Sequence, residues 1–124
     1  AKKIGDNKWE PYADCGRERT YKDLIEWISE SIDRGAGEIF LTSIDNEGTK
    51  KGFDLELVSN VNNISNVPLI CSGGAGNLNH ISELITNIGS DGAAFSNLLH
   101  VEEIKIFEIK DFLQKNQKKI NIRK

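Results

Sequence analysis

A chain of 124 residues carrying 16 Lys and Arg against 19 Asp and Glu can bury one core and makes one domain or part of one. Its net charge of −3 and isoelectric point near 5.4 leave no basic stripe for a nucleic-acid backbone. Its apolar runs fall far short of the roughly 20 residues needed to cross a bilayer.

No signal-peptide pattern opens the sequence, so a cytoplasmic protein is expected, with neither membrane nor nucleic acid as partner. Cys15 and Cys71 lack C-x-x-C spacing. This predicts two reduced thiols, Cys71 packed inside a strand, rather than a disulfide framework or a zinc knuckle. The absence of methionine and the start at Ala1 hint at a fragment.

In chain order, residues 1–16 mix Lys, Asp, Gly and Pro around Trp9 and Tyr12, which predicts a long loop with one short extended piece. Tyr21, Leu24, Ile25, Ile28 and Ile32 then recur at helical spacing, with charged residues on the other face. Thr20 followed by Asp23 resembles a capping box and Gly35 offers a left-handed stop, so a helix is predicted over 21–34. A buried strand is expected over 38–44, emptying into a polar loop over 45–53. Asp54 is a candidate N-cap for a short helix carrying Leu57, Val58 and Val61. Pro68 opens a second strand. Asn77 caps a helix with Leu78, Ile81, Leu84, Ile85 and Ile88 that closes at Gly89. A third strand is predicted over 92–95, and Ile106, Ile109, Phe112 and Leu113 mark a last helix, with Lys115, Lys118 and Lys119 at or beyond its end. Strand and helix alternate, so the sheet is predicted to be parallel, with right-handed crossovers. No linker composition divides the units, so residues 1–124 form one domain of about three βα units preceded by a loop and a helix.

Chemistry is expected where the strands end. Ser72-Gly73-Gly74-Ala75-Gly76 follows a strand and precedes a helix, a context in which bare backbone N–H groups cradle phosphate; the alternative is a purely structural turn. It is not G-x-G-x-x-G, and no Walker Lys-Ser pair is present. Ser96 and Asn97 end the next strand and could share the same phosphate, or could serve only as caps. Asp45, Asn46 and Glu47 offer two carboxyl groups for acid–base work or for a sugar hydroxyl, against the alternative of an acidic turn that caps its own loop. His80 and His100 lack metal-ligand spacing, and no metal site is predicted.

The run from Gly35-Ala36-Gly37-Glu38-Ile39 through Leu41-Thr42-Ser43-Ile44-Asp45, with Gly48-Thr49, Gly52-Phe53-Asp54 and Ser72-Gly73-Gly74-Ala75-Gly76, resembles the cyclase subunit family of imidazole glycerol phosphate synthase, HisF. The resemblance spans nearly the whole chain, including the Gly16-Arg17 loop and the closing Ile120-Asn121-Ile122-Arg123. It implies an α/β fold, a partial (β/α)8 TIM-type barrel holding about half of the roughly 250 residues of a full one. The activity implied is histidine biosynthesis: ammonia from a glutaminase partner splits a bis-phosphorylated aminoimidazole ribonucleotide into imidazole glycerol phosphate and aminoimidazole carboxamide ribotide. By resemblance, Gly73 and Gly74 with Ser96 and Asn97 hold one substrate phosphate, Thr42 and Ser72 face the pocket, and Glu38 lies near the ammonia entrance. Glu47 falls where the family carries an aspartate near the glycerol part of the substrate, and Ser96-Asn97 replaces the family's Ala-Ser. No cofactor or metal is implied.

The family's two principal catalytic aspartates sit on the first and fifth strands, and Ala1-Lys2 matches the residues just after the second of them. A truncated chain is therefore expected, inactive alone and prone to self-association through exposed strand edges. Two alternatives remain open: a HisF-like partner of a glutaminase in surface-sugar biosynthesis, and a non-catalytic phosphate-binding or assembly half-barrel.

Overall fold

A computed structural model describes residues 1–100 and 104–116. Lys118, Lys119 and the closing run 120–123 lie outside the described residues.

The N-terminal region is not the long loop expected from its composition. Strands β1 (Lys2–Gly5) and β2 (Lys8–Glu10) form one antiparallel hairpin, and β3 (Tyr12–Ala13) and β4 (Glu18–Arg19) form another. Asn7 turns the first with φ 51, and the second is bent by Asp14, Cys15 and Gly16 at φ 43, 54 and 84; Asn, Asp and Gly are the residues that tolerate this region best. All four positions of β1 are exposed, so no apolar alternation betrays the strand. Anchoring comes from buried Trp9, whose Nε1–H donates to Asp54 Oδ2 at 3.3 Å, and from buried Glu10. The Glu10 carboxylate accepts from Arg19 Nη2 at 2.8 Å and from the Tyr21 amide at 2.7 Å.

Helix α1 (Leu24–Asp33) starts later than the spacing predicts. Its N-cap is Asp23, whose Oδ1 accepts from the amides of Ile25 and Glu26 at 2.8 and 3.1 Å. Thr20 is not the cap: its hydroxyl donates to the Pro11 carbonyl. Strand β5 (Ile39–Thr42) is shorter at both ends than predicted. Helix α2 (Leu55–Ile64) has the expected Asp54 cap, bonded to the Leu57 amide at 3.0 Å. Strand β6 (Leu69–Ser72) follows Pro68, and Asn77 caps α3 (Leu78–Glu83). The expected single helix continues instead as a π turn over Leu84–Ile88, closed by Gly89 at φ 81. Strand β7 (Gly92–Ala94), a one-turn helix α4 (Asn97–His100) and α5 (Ile106–Asn116), with Lys115 in its last turn, complete the order.

Strands β5, β6 and β7 form a parallel sheet in which Thr42 pairs with Ser72 and Ser72 with Ala94. Leu41, Leu69 and Cys71 face the helices and join Leu24, Ile28, Leu57, Val58, Val61, Ile81, Leu84 and Leu98 in one core. Burial pushes the Cys71 thiol pKa up, as expected of a thiol packed in a strand; Cys15 is exposed. The other face of the sheet is bare: Phe40 is 61% exposed. Parallel sheets are normally covered on both faces, and among the described residues this three-stranded sheet does not close on itself. Among the described residues, no helix is long and apolar enough to cross a membrane.

The Glu10–Arg19 pair carries a pH signature. Hydrogen bonds from the Arg19 guanidinium, then from the Tyr21 amide, hold the Glu10 carboxyl below the usual glutamate range against the opposing effect of burial. A pKa depressed on folding contributes stability above the unfolded value, and that stability is lost as pH falls through the folded value. Urea unfolding midpoints taken from about pH 7 down to about pH 3 are expected to fall more steeply in the parent chain than in Glu10→Gln. Equal slopes would mean that the pair does not couple to folding.

Candidate functional site

The C-terminal ends of β5, β6 and β7 empty toward one edge, as the strand–helix alternation requires. The loop after β6 turns at Gly73 and Gly74, with φ of 99° and 101°, a conformation that side chains strain to adopt. Space also demands glycine. A Cβ on Gly73 would lie 2.6 Å from the Ser43 carbonyl, and one on Gly74 would overlap the Gly52 carbonyl.

The two loops are stitched by backbone: the Gly52 amide donates to the Gly74 carbonyl at 2.8 Å. Asn46 braces the same point, its Nδ2 donating to the Gly52 carbonyl at 2.9 Å. The acidic turn therefore divides its labour. Asp45 accepts from the Lys3 amide at 2.7 Å and ties the first hairpin to the sheet, Asn46 shapes the loop, and Glu47 lines a cavity.

That cavity, about 320 Å³, is walled by Ser72, Gly73, Gly74 and Ala75 from the β6 side, by Ala94, Phe95, Ser96 and Asn97 from the β7 side, and by Glu47 and Gly48. Gly73 and Gly74 are buried, Ser72 and Asn97 half-buried, Ser96 and Glu47 exposed. Among the described residues that line it, Glu47 is the one charged side chain and there is no cation. These residues can meet an anion only with N–H and O–H groups.

Thr42 and Glu38 are not in the lining of this cavity. Thr42 is level with Ser72, but it and Glu38 line a second cavity of about 230 Å³, between the outer edge of β5, α1 and the second hairpin. Glu38 is exposed, just ahead of β5 and at the opposite end of the sheet from the first cavity. At this outer edge Ala1 forms a single parallel rung: its amino group donates to the Thr42 carbonyl at 2.6 Å and its carbonyl accepts from the Ile44 amide at 2.8 Å. The sequence reading missed the bracing roles of Asn46, Gly52 and His80. His80 Nδ1 accepts from the Gly76 amide at 3.1 Å, and the short N-x-x-H spacing from the Asn77 cap was the signal available for it. His100 is exposed in α4. Among the described residues, no group of three or more His, Cys, Asp or Glu is placed to hold a metal ion.

Parallel strands alternating with helices, a polar cavity at the strands' C-terminal ends and one bare sheet face define a partial barrel of the (β/α)8 class. The chain belongs to the histidine biosynthesis protein family, whose sequence model matches residues 2–105. It is 41% identical over 114 residues to the imidazole glycerol phosphate synthase subunit HisF of Streptococcus sanguinis, covering 92% of this chain and 45% of that protein. It is 44% identical over 113 residues to the subunit of the same name from Helicobacter hepaticus, covering 91% and 44%. The chain thus spans about half the length of the curated relatives it matches.

The backbone stitch is open to test. Gly48 also has positive φ, 74°, but no atom within 4 Å of where its Cβ would stand. Both Gly48→Ala and Gly74→Ala meet conformational strain of about 1–3 kcal/mol, and only the second also meets a carbonyl. Gly74→Ala is therefore expected to lower stability by at least about 1 kcal/mol more than Gly48→Ala. Comparable urea midpoints for the two variants would remove the stitch as a determinant of the loop.

Proposed function

We propose that this chain forms the phosphate-binding C-terminal part of a HisF-type cyclase of histidine biosynthesis, in the cytoplasm. In such an enzyme, ammonia from a glutaminase subunit converts the bis-phosphorylated aminoimidazole ribonucleotide to imidazole glycerol phosphate and aminoimidazole carboxamide ribotide. The observation that carries the reading is the cavity in which the glycine loop after β6 meets Ser96 and Asn97, which follow β7. Backbone amides of Gly73 and Gly74 and the polar groups of Ser72, Ser96 and Asn97 hold the phosphate, and Glu47 accepts from a ligand hydroxyl. Thr42, level with Ser72, faces the pocket of the full barrel, and Glu38 keeps its proposed place near the ammonia entrance. Neither a cofactor nor a metal enters this reading.

Calorimetry with glycerol phosphate on the 124-residue chain tests the site. Binding is expected, and Ser96→Asp, which adds a negative charge at an exposed position of the cavity, is expected to weaken it by at least about tenfold. A folded chain that binds nothing, or a Ser96→Asp variant that binds as well as the parent, overturns the assignment. With ammonia and the ribonucleotide the chain alone is expected to show no turnover; measurable cyclase activity would refute that part.

The bare face favours a second property. An exposed Phe40 and open edges of a parallel sheet invite pairing with further strands. We expect the isolated chain to self-associate at micromolar concentration, through the edges of β5 and β7. Sedimentation showing a monodisperse monomer across the accessible concentration range would dismiss this.

A further inference from the structure

His80 lies on the first turn of α3, behind the glycine loop rather than in the cavity, bonded to that loop and close to the one after β5. The Gly76 amide donates to its Nδ1 at 3.1 Å. The ring stands 3.6 Å from where Gly52 would carry a Cβ, and Gly52 is the residue bonded to Gly74. Its own amide donates to Asn77 Oδ1 at 3.0 Å.

Imidazole chemistry lets the ring accept from only one of its two neighbouring donors at a time. A neutral ring has one nitrogen that accepts and one that donates. Because the Gly76 amide donates, Nδ1 must be bare and the hydrogen sits on Nε2. The Asn77 Nδ2, 3.2 Å from Nε2, is then a donor facing a donor, since the Asn77 oxygen is already committed to the helix cap. The Gly76 bond and an Asn77–Nε2 bond are therefore mutually exclusive, and the tautomer of His80 decides which exists.

From this we infer that His80 is a positioning residue for the phosphate loop: its Nε2–H tautomer holds the Gly76 amide, and through it the conformation that Gly73 and Gly74 present to the ligand. The inference rests on the phosphate reading for its consequence, but not for its geometry. A Cβ on Gly76 would overlap the Lys50 carbonyl, so the loop has little freedom to find another partner for that amide on the side of the β5–α2 loop.

Nitrogen-detected spectra of the native 124-residue chain test the tautomer directly. Nδ1 is expected at a pyridine-type shift and Nε2 at a pyrrole-type shift. Two variants then test the consequence. His80→Leu removes the acceptor and is expected to speed amide exchange at Ala75 and Gly76, and to weaken glycerol phosphate binding, by about fivefold to tenfold, the worth of one hydrogen bond. His80→Asn, whose Oδ1 branches from Cγ as Nδ1 does, is expected to restore both to within about twofold of the parent. A pyrrole-type Nδ1, or Leu and Asn variants that exchange alike, overturns the inference. If the parent chain binds no glycerol phosphate, the phosphate reading falls alone, while the shifts and the exchange rates still decide the role of His80.

Discussion

Backbone meets backbone where the loop after β5 crosses the loop after β6, and the site depends on that contact. The Gly52 amide on the Gly74 carbonyl, the Asn46 amide on the Gly52 carbonyl and the Ser43 carbonyl packed under Gly73 leave no room for side chains. Gly73 and Gly74 also line the cavity, so the same crowding that requires glycine fixes the loop beside it.

The sheet's two faces set a different constraint. Leu41, Leu69 and Cys71 are buried against helices, while Phe40 and Thr42 stand on the side without a second layer. Alternation along a strand makes this unavoidable: residues that line the interior of a closed barrel become surface when the barrel is an arc. A parallel sheet of three strands with one naked face has less buried apolar area to offset chain entropy than a closed barrel has. The N-terminal hairpins recover part of this by laying Trp9 over the start of α2 and Glu10 beside the start of α1.

Helices and sheet strands were legible because their apolar residues recur at the period of the element that buries them; α2 and its Asp54 cap came out as expected. The hairpins were not legible, because β1 is exposed at every position and has no period to read. The start of α1 was misplaced because Thr20 and Asp23 both belong to the capping class; only the structure shows Thr20 spent on the Pro11 carbonyl. The π turn was invisible because Leu84, Ile85 and Ile88 point inward in either helix type. In the site, the glycines and Ser96-Asn97 line one cavity, while the sequence could not show that Thr42, level with Ser72, also lines a second cavity at the outer edge of the sheet.

Charge narrows what such a cavity can hold. Its lining has one carboxylate, Glu47, and no cationic side chain among the described residues, so an anion cannot be held by ion pairing from these residues. Neutral donors are weaker individually but can stabilise charge when they are fixed in place beforehand, and the stitched loops provide that fixity. Glu47 would repel a bare anion close to it, yet it accepts readily from a hydroxyl. A phosphate ester of a polyol meets both demands at once, with its phosphate toward the glycine loop and a hydroxyl toward Glu47. In the reading we propose, the lone carboxylate therefore favours a phosphorylated polyol over free phosphate.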